Sequence, residues 1–383
     1  MSEPFTVAVN ISIEGWTQRR IVRGIIRFCQ THTLWKFVEY HGMPLARSQC
    51  LECLAYDGLI TSLNDAADIR IARTTQAKRV PVVAINRGLP IRGLSMVVSN
   101  DALIGEMGAR HFLDKGFRHF AYYGASHYGW SLGRRDGFCR TVKKAGFSVA
   151  VAETPHARVF DKAMPCLRRW LTELPRPLAV MASDDLPGRH VLTACREMGL
   201  QVPEQVAVLG VDDDDVLCEM VAPPMSSIVQ DCDRNGYEAA ALLDRMMQDL
   251  RLPPQTIEIP PLHIVARRST DVTAIEDMEV AKAIRLIHSK AGEPLSVKVL
   301  LRDVPMSRRT LERRFTAALG RSPADEIRRC RLEKAMLLLR ISTLKINQVA
   351  IKSGFGDARS MAVSFRRELK TSASAYRRQF RDH

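Results

Sequence analysis

Much of what narrows the reading of this 383-residue chain is missing from it. No run approaches the roughly eighteen consecutive apolar residues that a membrane-spanning helix needs. Met1 to Phe5 leads straight into an alternating pattern without a charged, apolar and cleavable leader, so a soluble cytoplasmic protein with no membrane partner is expected. The chain has no P-loop, no Gly-x-Ser-x-Gly and no His-Glu-x-x-His, which removes the commonest motif-borne chemistries. Neither an enzyme nor a bound cofactor or metal is expected. Nine cysteines, an odd and scattered set, fit reduced thiols better than a disulfide framework. The single CxxC, Cys50 to Cys53, lacks a second pair at zinc-finger spacing and reads as two small residues on a helix. The run Asp212 to Asp215 cannot turn four consecutive carboxylates toward one ion, so an acidic loop with Asp212 alone pointing inward is expected.

What is present is charge, unevenly placed. Of the net +14, the last 108 residues hold +12, with 24 Lys and Arg against 12 Asp and Glu; the preceding 275 hold only +2. A positive field so concentrated implies a polyanionic partner for the C-terminal part alone. With 46% hydrophobic residues the chain is too apolar for disorder and too long for one core, so two or three domains are expected.

The first part shows a strand-and-helix rhythm. Val7 to Ile11 alternates as a strand, and Ile21, Ile25 and Phe28 recur at helical spacing between Gln18 and Gln30. Further strands are predicted at Gly58–Thr61, Val80–Ile85, His119–Tyr123, Leu178–Ser183 and Val206–Gly210, with helical patterns between them. Such alternation argues for parallel sheets, whose ligands bind beyond the carboxyl ends of the strands. Those ends carry Glu14 and Trp16, Asn86 and Arg87, His127, Tyr128, Trp130 and Arg134, Ser183 and Asp184, and Asp212 and Asp213. Carboxylates and an arginine beside indole rings suit a neutral polyol: charged groups pair with adjacent hydroxyls and an aromatic face covers the apolar side of a ring. Glu14, Trp16, Trp130, Arg134, Asp184 and Asp212 are the candidate ligand residues, although Asp184 is equally suited to cap the helix after it.

The second part is helical throughout. Ser307 is a good N-cap for Arg308 to Phe315, with Leu311, Phe315 and Leu319 on one face. A second copy runs from Ile346 to Lys352, turns at Gly354-Phe-Gly, and restarts at Asp357 toward Leu369. Ser322-Pro323 starts a longer helix between the two. Two helix-turn-helix units about one DNA turn apart could read successive major grooves of double-stranded DNA. Ser307, Arg308, Arg309, Thr310 and Arg313 in the first unit, and Asp357, Arg359 and Ser360 in the second, are the candidate DNA-binding residues. Arg308, Arg309 and Arg359 pair with guanine or touch phosphate, and both readings stand, whereas Arg313 reads as a phosphate contact or solvated face.

These residues carry two resemblances. Ala182-Ser-Asp-Asp, Gly199 to Pro203, Val206 to Asp213 and Pro224 to Asp231 resemble the effector domain of the LacI/GalR regulators, which is similar to periplasmic sugar-binding proteins. By that resemblance Arg134, Asp184 and Asp212 fall where the family contacts sugar hydroxyls; Ser183 stands where it usually has Asn. With no room in this sequence for a DNA-binding headpiece before the first strand, the sensor is expected to act through another part of the chain. Instead Ser307 to Phe315, Arg331 to Ala335, Ile346 to Ala350, Gly354-Phe355 and Phe365 to Leu369 resemble the AraC/XylS-type DNA-binding domain, with Met361-Ala362 in place of its usual Tyr-Phe. The expected architecture is an α/β two-lobed periplasmic-binding-protein-like sensor (residues 1–268), a linker (269–278) and an all-α double helix-turn-helix domain (279–383). The order of the two parts, with the junction Val265 to Asp271, resembles the xylose operon regulators. That resemblance implies an activator that responds to a pentose such as D-xylose, works as a homodimer and engages RNA polymerase. Sugar is expected to close a cleft between lobes joined by crossings near 111–117 and 229–234.

Overall fold

The computed structural model describes residues 4–32, 35–38, 51, 54–88, 91, 93–153, 160–272, 277–290, 292–293 and 295–381. Cys50 and Cys53 lie outside them; the seven described cysteines are free thiols. Two compact units emerge, one of Met1–Arg110 with His119–Thr270, the other of His111–Arg118 with Asp271–His383. The division after Thr270 falls inside the 269–278 linker read from the sequence, whereas the inclusion of 111–118 in the second unit has no counterpart in a linear reading.

The first unit opens with β1 (Thr6–Asn10), α1 (Trp16–His32), β2 (Lys36–Val38), β3 (Gly58–Thr61), α2 (Ala66–Ala77), β4 (Val82–Ala84) and β5 (Ser95–Ser99). It continues through α3 (Asp101–Asp114), β6 (His119–Gly124), α4 (Gly129–Lys144), β7 (Val149–Glu153), α5 (Phe160–Glu173), β8 (Leu178–Ala182), α6 (Asp185–Glu197), β9 (Val206–Val211), α7 (Asp215–Met220) and β10 (Ser226–Val229). Helix α8 (Cys232–Gln248), β11 (Thr256–Ile259) and β12 (His263–Val265) close it. The strands form two sheets, ordered β11-β5-β4-β3-β1-β2 and β12-β10-β9-β8-β6-β7, parallel except for the β10–β12 pair. Each strand predicted from sequence is present. Those not predicted are short or polar: β2, β7, β11 and β12 are half-exposed edge strands, β5 lies between two serines and β10 begins with two. Apart from β7, with Val149 to Ala152 on an exposed edge, none offers an apolar run longer than three residues.

The first crossing between lobes corrects the expectation. Helix α3 packs on the second sheet without room for a side chain at Gly108, where an added Cβ would sit 2.6 Å from Met181 Sδ, or at Gly105, where it would meet the Arg134 carbonyl at 2.0 Å. The chain has therefore changed lobes by Asn100, between β5 and α3, not at 111–117. It returns between Val229 and Cys232, as expected, and crosses again between Ile259 and His263. Residues at the first two crossings, Ser99 and Asp101, Gln230 and Cys232, line the cleft between the lobes.

The second unit contains α9 (Met278–Ser289), α10 (Val297–Asp303), α11 (Arg308–Leu319), α12 (Pro323–Ile341), α13 (Ile346–Lys352), α14 (Ala358–Leu369) and α15 (Ala373–Arg381). Leu311 and Phe315 of α11 join a core with Ile284, Leu300 and Ile327; Met361 and Phe365 of α14 join another with Leu332, Val349 and Tyr376. Helix α12 contributes to both, Ile327 and Cys330 to the first and Leu332, Ala335 and Leu339 to the second. It is thus the spacer between two small domains that neither core could support alone. No described helix is long and apolar enough to cross a membrane.

Candidate effector cleft and DNA-reading helices

A cavity of about 710 Å3 lies between the lobes of the first unit, within the usual range for small-molecule sites. Arg134, on α4, is its best-held charge. The guanidinium is buried; Nε donates to Asp101 Oδ1 at 3.1 Å and Nη1 to the Ser183 carbonyl at 2.5 Å. Nη1 also lies 3.8 Å from Asp212 Oδ1. The arginine sits 4.8 Å above the Trp130 ring, which stacks on Tyr128 at 5.3 Å and 16°. An aromatic surface thus holds the cation in place while acids neutralise it.

Asp212 follows β9 with φ of +111° and Asp213 with +53°, a backbone region that non-glycine residues seldom occupy. Such strain persists where the surroundings over-determine it, and it is often found at binding sites. Its consequence is to separate four adjacent acids. Asp212 lines the cleft and accepts from Gln230; Asp213 accepts from Arg267 at 2.8 Å; Asp214 caps α7 through Leu217 N–H; Asp215 accepts from Val216 N–H. Asp184 does both things open to it: Oδ1 caps α6 through Leu186 N–H at 3.1 Å, Oδ2 accepts from the Ser183 hydroxyl at 3.0 Å, and the residue lines the cavity.

Burial sets the protonation of these acids. It pushes the Asp101 carboxyl up to about 6 and that of Asp212 up to about 7, in each case against the opposing charge of Arg134. Asp184 moves in the same direction for the same reasons. The carboxylates are therefore poised to respond to any ligand that donates hydrogen bonds to them.

Of the sequence candidates, Trp130, Arg134, Asp184 and Asp212 line the cavity; Glu14 and Trp16 do not. Glu14 is exposed, and Trp16 starts α1 half-buried, its indole N–H without an acceptor among the described residues. Asp101, Gln230 and His190 were not singled out as ligand residues and line the cavity as well. Asp101 and Gln230 follow β5 and β10, two strands whose short apolar runs gave no signal. Had those strands been legible, the rule that ligands lie beyond strand ends would have found both residues.

In the second unit the candidate DNA residues divide by what they already hold. Ser307 caps α11 by accepting from Thr310 N–H at 3.2 Å, and Asp357 caps α14 by accepting from Ser360 N–H at 2.7 Å. Asp357 also accepts from the Ser360 hydroxyl, and these bonds hold its carboxyl below the ordinary range. Arg308 is exposed but paired to Glu312 at 2.8 Å. Arg309, Arg313 and Arg359 are exposed and make no ion pair among the described residues. Met361, at the position that departs from the family pattern, is fully buried. A grouping of His288, Glu326 and Cys330 has the composition of a metal site, yet the Glu326 oxygens accept from Arg329 at 2.7 Å and also from Arg321. Two guanidiniums in that place oppose a cation and make the carboxylate a structural hub.

Comparison with known proteins agrees with both halves. Residues 109–270 match a periplasmic binding protein-like domain, and residues 300–379 a helix-turn-helix domain. This chain is a transcription regulator. It is similar to the xylose operon regulatory protein of Haemophilus influenzae, 26% identical with 97% of this chain and 98% of the relative covered. The counterpart from Escherichia coli K12 is 28% identical over 94% of this chain and 93% of its own. Among solved structures, the xylose-binding transcription activator xylR matches at 25% identity and a TM-score of 0.62 over 98% of both chains. These relatives are regulators, not enzymes, and the regulator described here shares their order of an α/β sensor followed by a helical DNA-binding domain.

Proposed function

We propose that the regulator activates genes of pentose catabolism when a sugar such as D-xylose enters the cleft. The observation that carries this reading is the Arg134 constellation: one buried guanidinium with acids on two sides and an indole beneath, in the cleft of a chain similar end to end to xylose operon regulators. A vicinal diol offers each of these groups a partner. One hydroxyl accepts from the arginine and donates to a carboxylate, and its neighbour reaches Asp184. No cofactor is needed. Trp130, Arg134, Asp184 and Asp212 are the proposed effector contacts, and Arg309, Arg313 and Arg359 the proposed contacts to double-stranded DNA. Ser307 and Asp357 set the helix starts from which those arginines project.

The working assembly is a homodimer in the cytoplasm that recruits RNA polymerase. Effector and DNA are coupled by linkage: if sugar raises affinity for the operator, operator DNA must raise affinity for sugar by the same factor.

The test is a thermal-shift series with D-xylose, L-arabinose, D-ribose and D-glucose on the purified protein. A ligand that binds only the native state raises its melting temperature by mass action. A rise selective for a pentose, abolished in Asp212→Ala, supports the reading. A flat response from well-folded protein would overturn the sugar assignment and leave the DNA-binding half standing.

A further inference from the structure

The two DNA-reading helices superimpose in sequence with an offset of fifty residues, and the structure keeps that register at each structural position. The N-caps are Ser307 and Asp357; the buried positions are Leu311 with Phe315 and Met361 with Phe365; the left-handed C-caps are Gly320 at φ +70° and Lys370 at φ +55°. Positions on the exposed face can therefore be equated. Arg309 corresponds to Arg359 and Thr310 to Ser360, two like pairs, while Arg308 corresponds to Ala358. One turn on, Arg313 of the first helix corresponds to Val363 of the second.

Val363 is 60% exposed. It stands in the middle of a basic face, with Arg359 and Ser360 one turn before it and Arg366 and Arg367 one turn after, all exposed. Folding does not call for it. The side that α14 buries is carried by Met361, Ser364 and Phe365, and a β-branched residue at an exposed helical site is a poorer helix former than the arginines around it. Cations on both sides bring this methyl pair against a polyanion, where the apolar feature of the major groove is the thymine 5-methyl group.

The geometry points to Val363 as a specificity residue that reads a thymine methyl in the second major groove, at the position where Arg313 reads a guanine edge in the first. The operator is then chemically asymmetric, with guanine opposite the second turn of α11 and thymine opposite the second turn of α14. The inference rests on α11 and α14 being the DNA-reading helices.

The test uses full-length protein and a 40-base-pair duplex (roughly four helical turns) enriched by that protein from a random-sequence library. Each thymine is replaced singly by uracil, which removes the methyl and nothing else, and affinity is read by fluorescence anisotropy. One thymine in each half-site is expected to be sensitive, with a loss of about fourfold, the effect of burying one methyl group. Val363→Ala should abolish that sensitivity without changing the melting temperature, and Val363→Arg should shift the preference at that position toward guanine. Indifference to uracil at each position, or an undiminished uracil effect in Val363→Ala, overturns the assignment while leaving DNA reading intact. Failure to enrich any sequence overturns the DNA-reading basis and the inference together.

Discussion

Arg134 Nη1 lies 3.8 Å from Asp212 Oδ1, beyond hydrogen-bond reach and within that of charge attraction. One N–H of that nitrogen goes to the Ser183 carbonyl. A hydroxyl oxygen placed about 2.8 Å from both groups completes a triangle with them, accepting from the arginine and donating to the aspartate.

Removing the cation tests both stability and binding. Arg134→Met leaves Asp101 buried without its partner, and loss of one member of a buried pair costs about 3–5 kcal/mol. Urea denaturation at pH 8 should show that loss. At pH 5 the penalty should shrink, because the Asp101 carboxyl, already pushed up to about 6, can take a proton. A variant as stable as the parent at both pH values would contradict the pair's role.

Effector affinity should depend on pH through Asp212. Its carboxyl is held up at about 7, above its value in an unfolded chain. Its contribution to the stability of the unliganded fold is therefore fully present below the ordinary carboxylate range and is lost as pH rises through about 7. Sugar hydroxyls donate to the ionised form, so they favour proton release and binding tightens over the same window. Calorimetry with D-xylose should give higher affinity at pH 8 than at pH 6, and Asp212→Asn should flatten the profile. The opposite slope in the parent protein would rule this account out.

The arginines of α11 should not be equivalent. Arg309 has no ion-pair partner among the described residues, whereas Arg308 is tied to Glu312. Arg309→Ala should cost about 1–3 kcal/mol in specific binding, the value of one base contact. Arg308→Ala should weaken specific and random DNA alike and lower the salt dependence. Anisotropy titrations at two salt concentrations separate the cases.

Acid should loosen the helical unit at Glu326. Burial opposes its ionisation, but hydrogen bonds from His288 and Arg329 outweigh that and hold the carboxyl far below the ordinary range. Its stabilisation is present above the unfolded value near 4.5 and is lost as pH falls toward the folded one. Glu326→Gln should cost about 2–3 kcal/mol, less than a fully enclosed pair, since a quarter of the Arg321 and Arg329 side chains still meets water. Helical circular dichroism during acid titration would show an earlier transition in the parent than the variant's flatter response; identical curves would exclude the hub.

The sequence alone determined what local physics determines. Caps at Ser307, Ser322 and Asp357, the spacing of Leu311 and Phe315, and the basic balance of the last third are interactions within one or two turns, so they are legible in a string of residues. The strongly apolar strands were legible for the same reason. Only the tertiary structure decided the site. Asp101 and Asp212 stand at two strand–helix connections and Arg134 in the second turn of α4, and nothing in their neighbours says that Asp101 faces the arginine or that Glu14 turns to solvent. Two of the strands that aim cleft residues carry serines at their ends and few apolar residues in a row, so their own composition does not mark them. Convergence of that kind is set by sheet order and lobe crossing, which are properties of the whole chain.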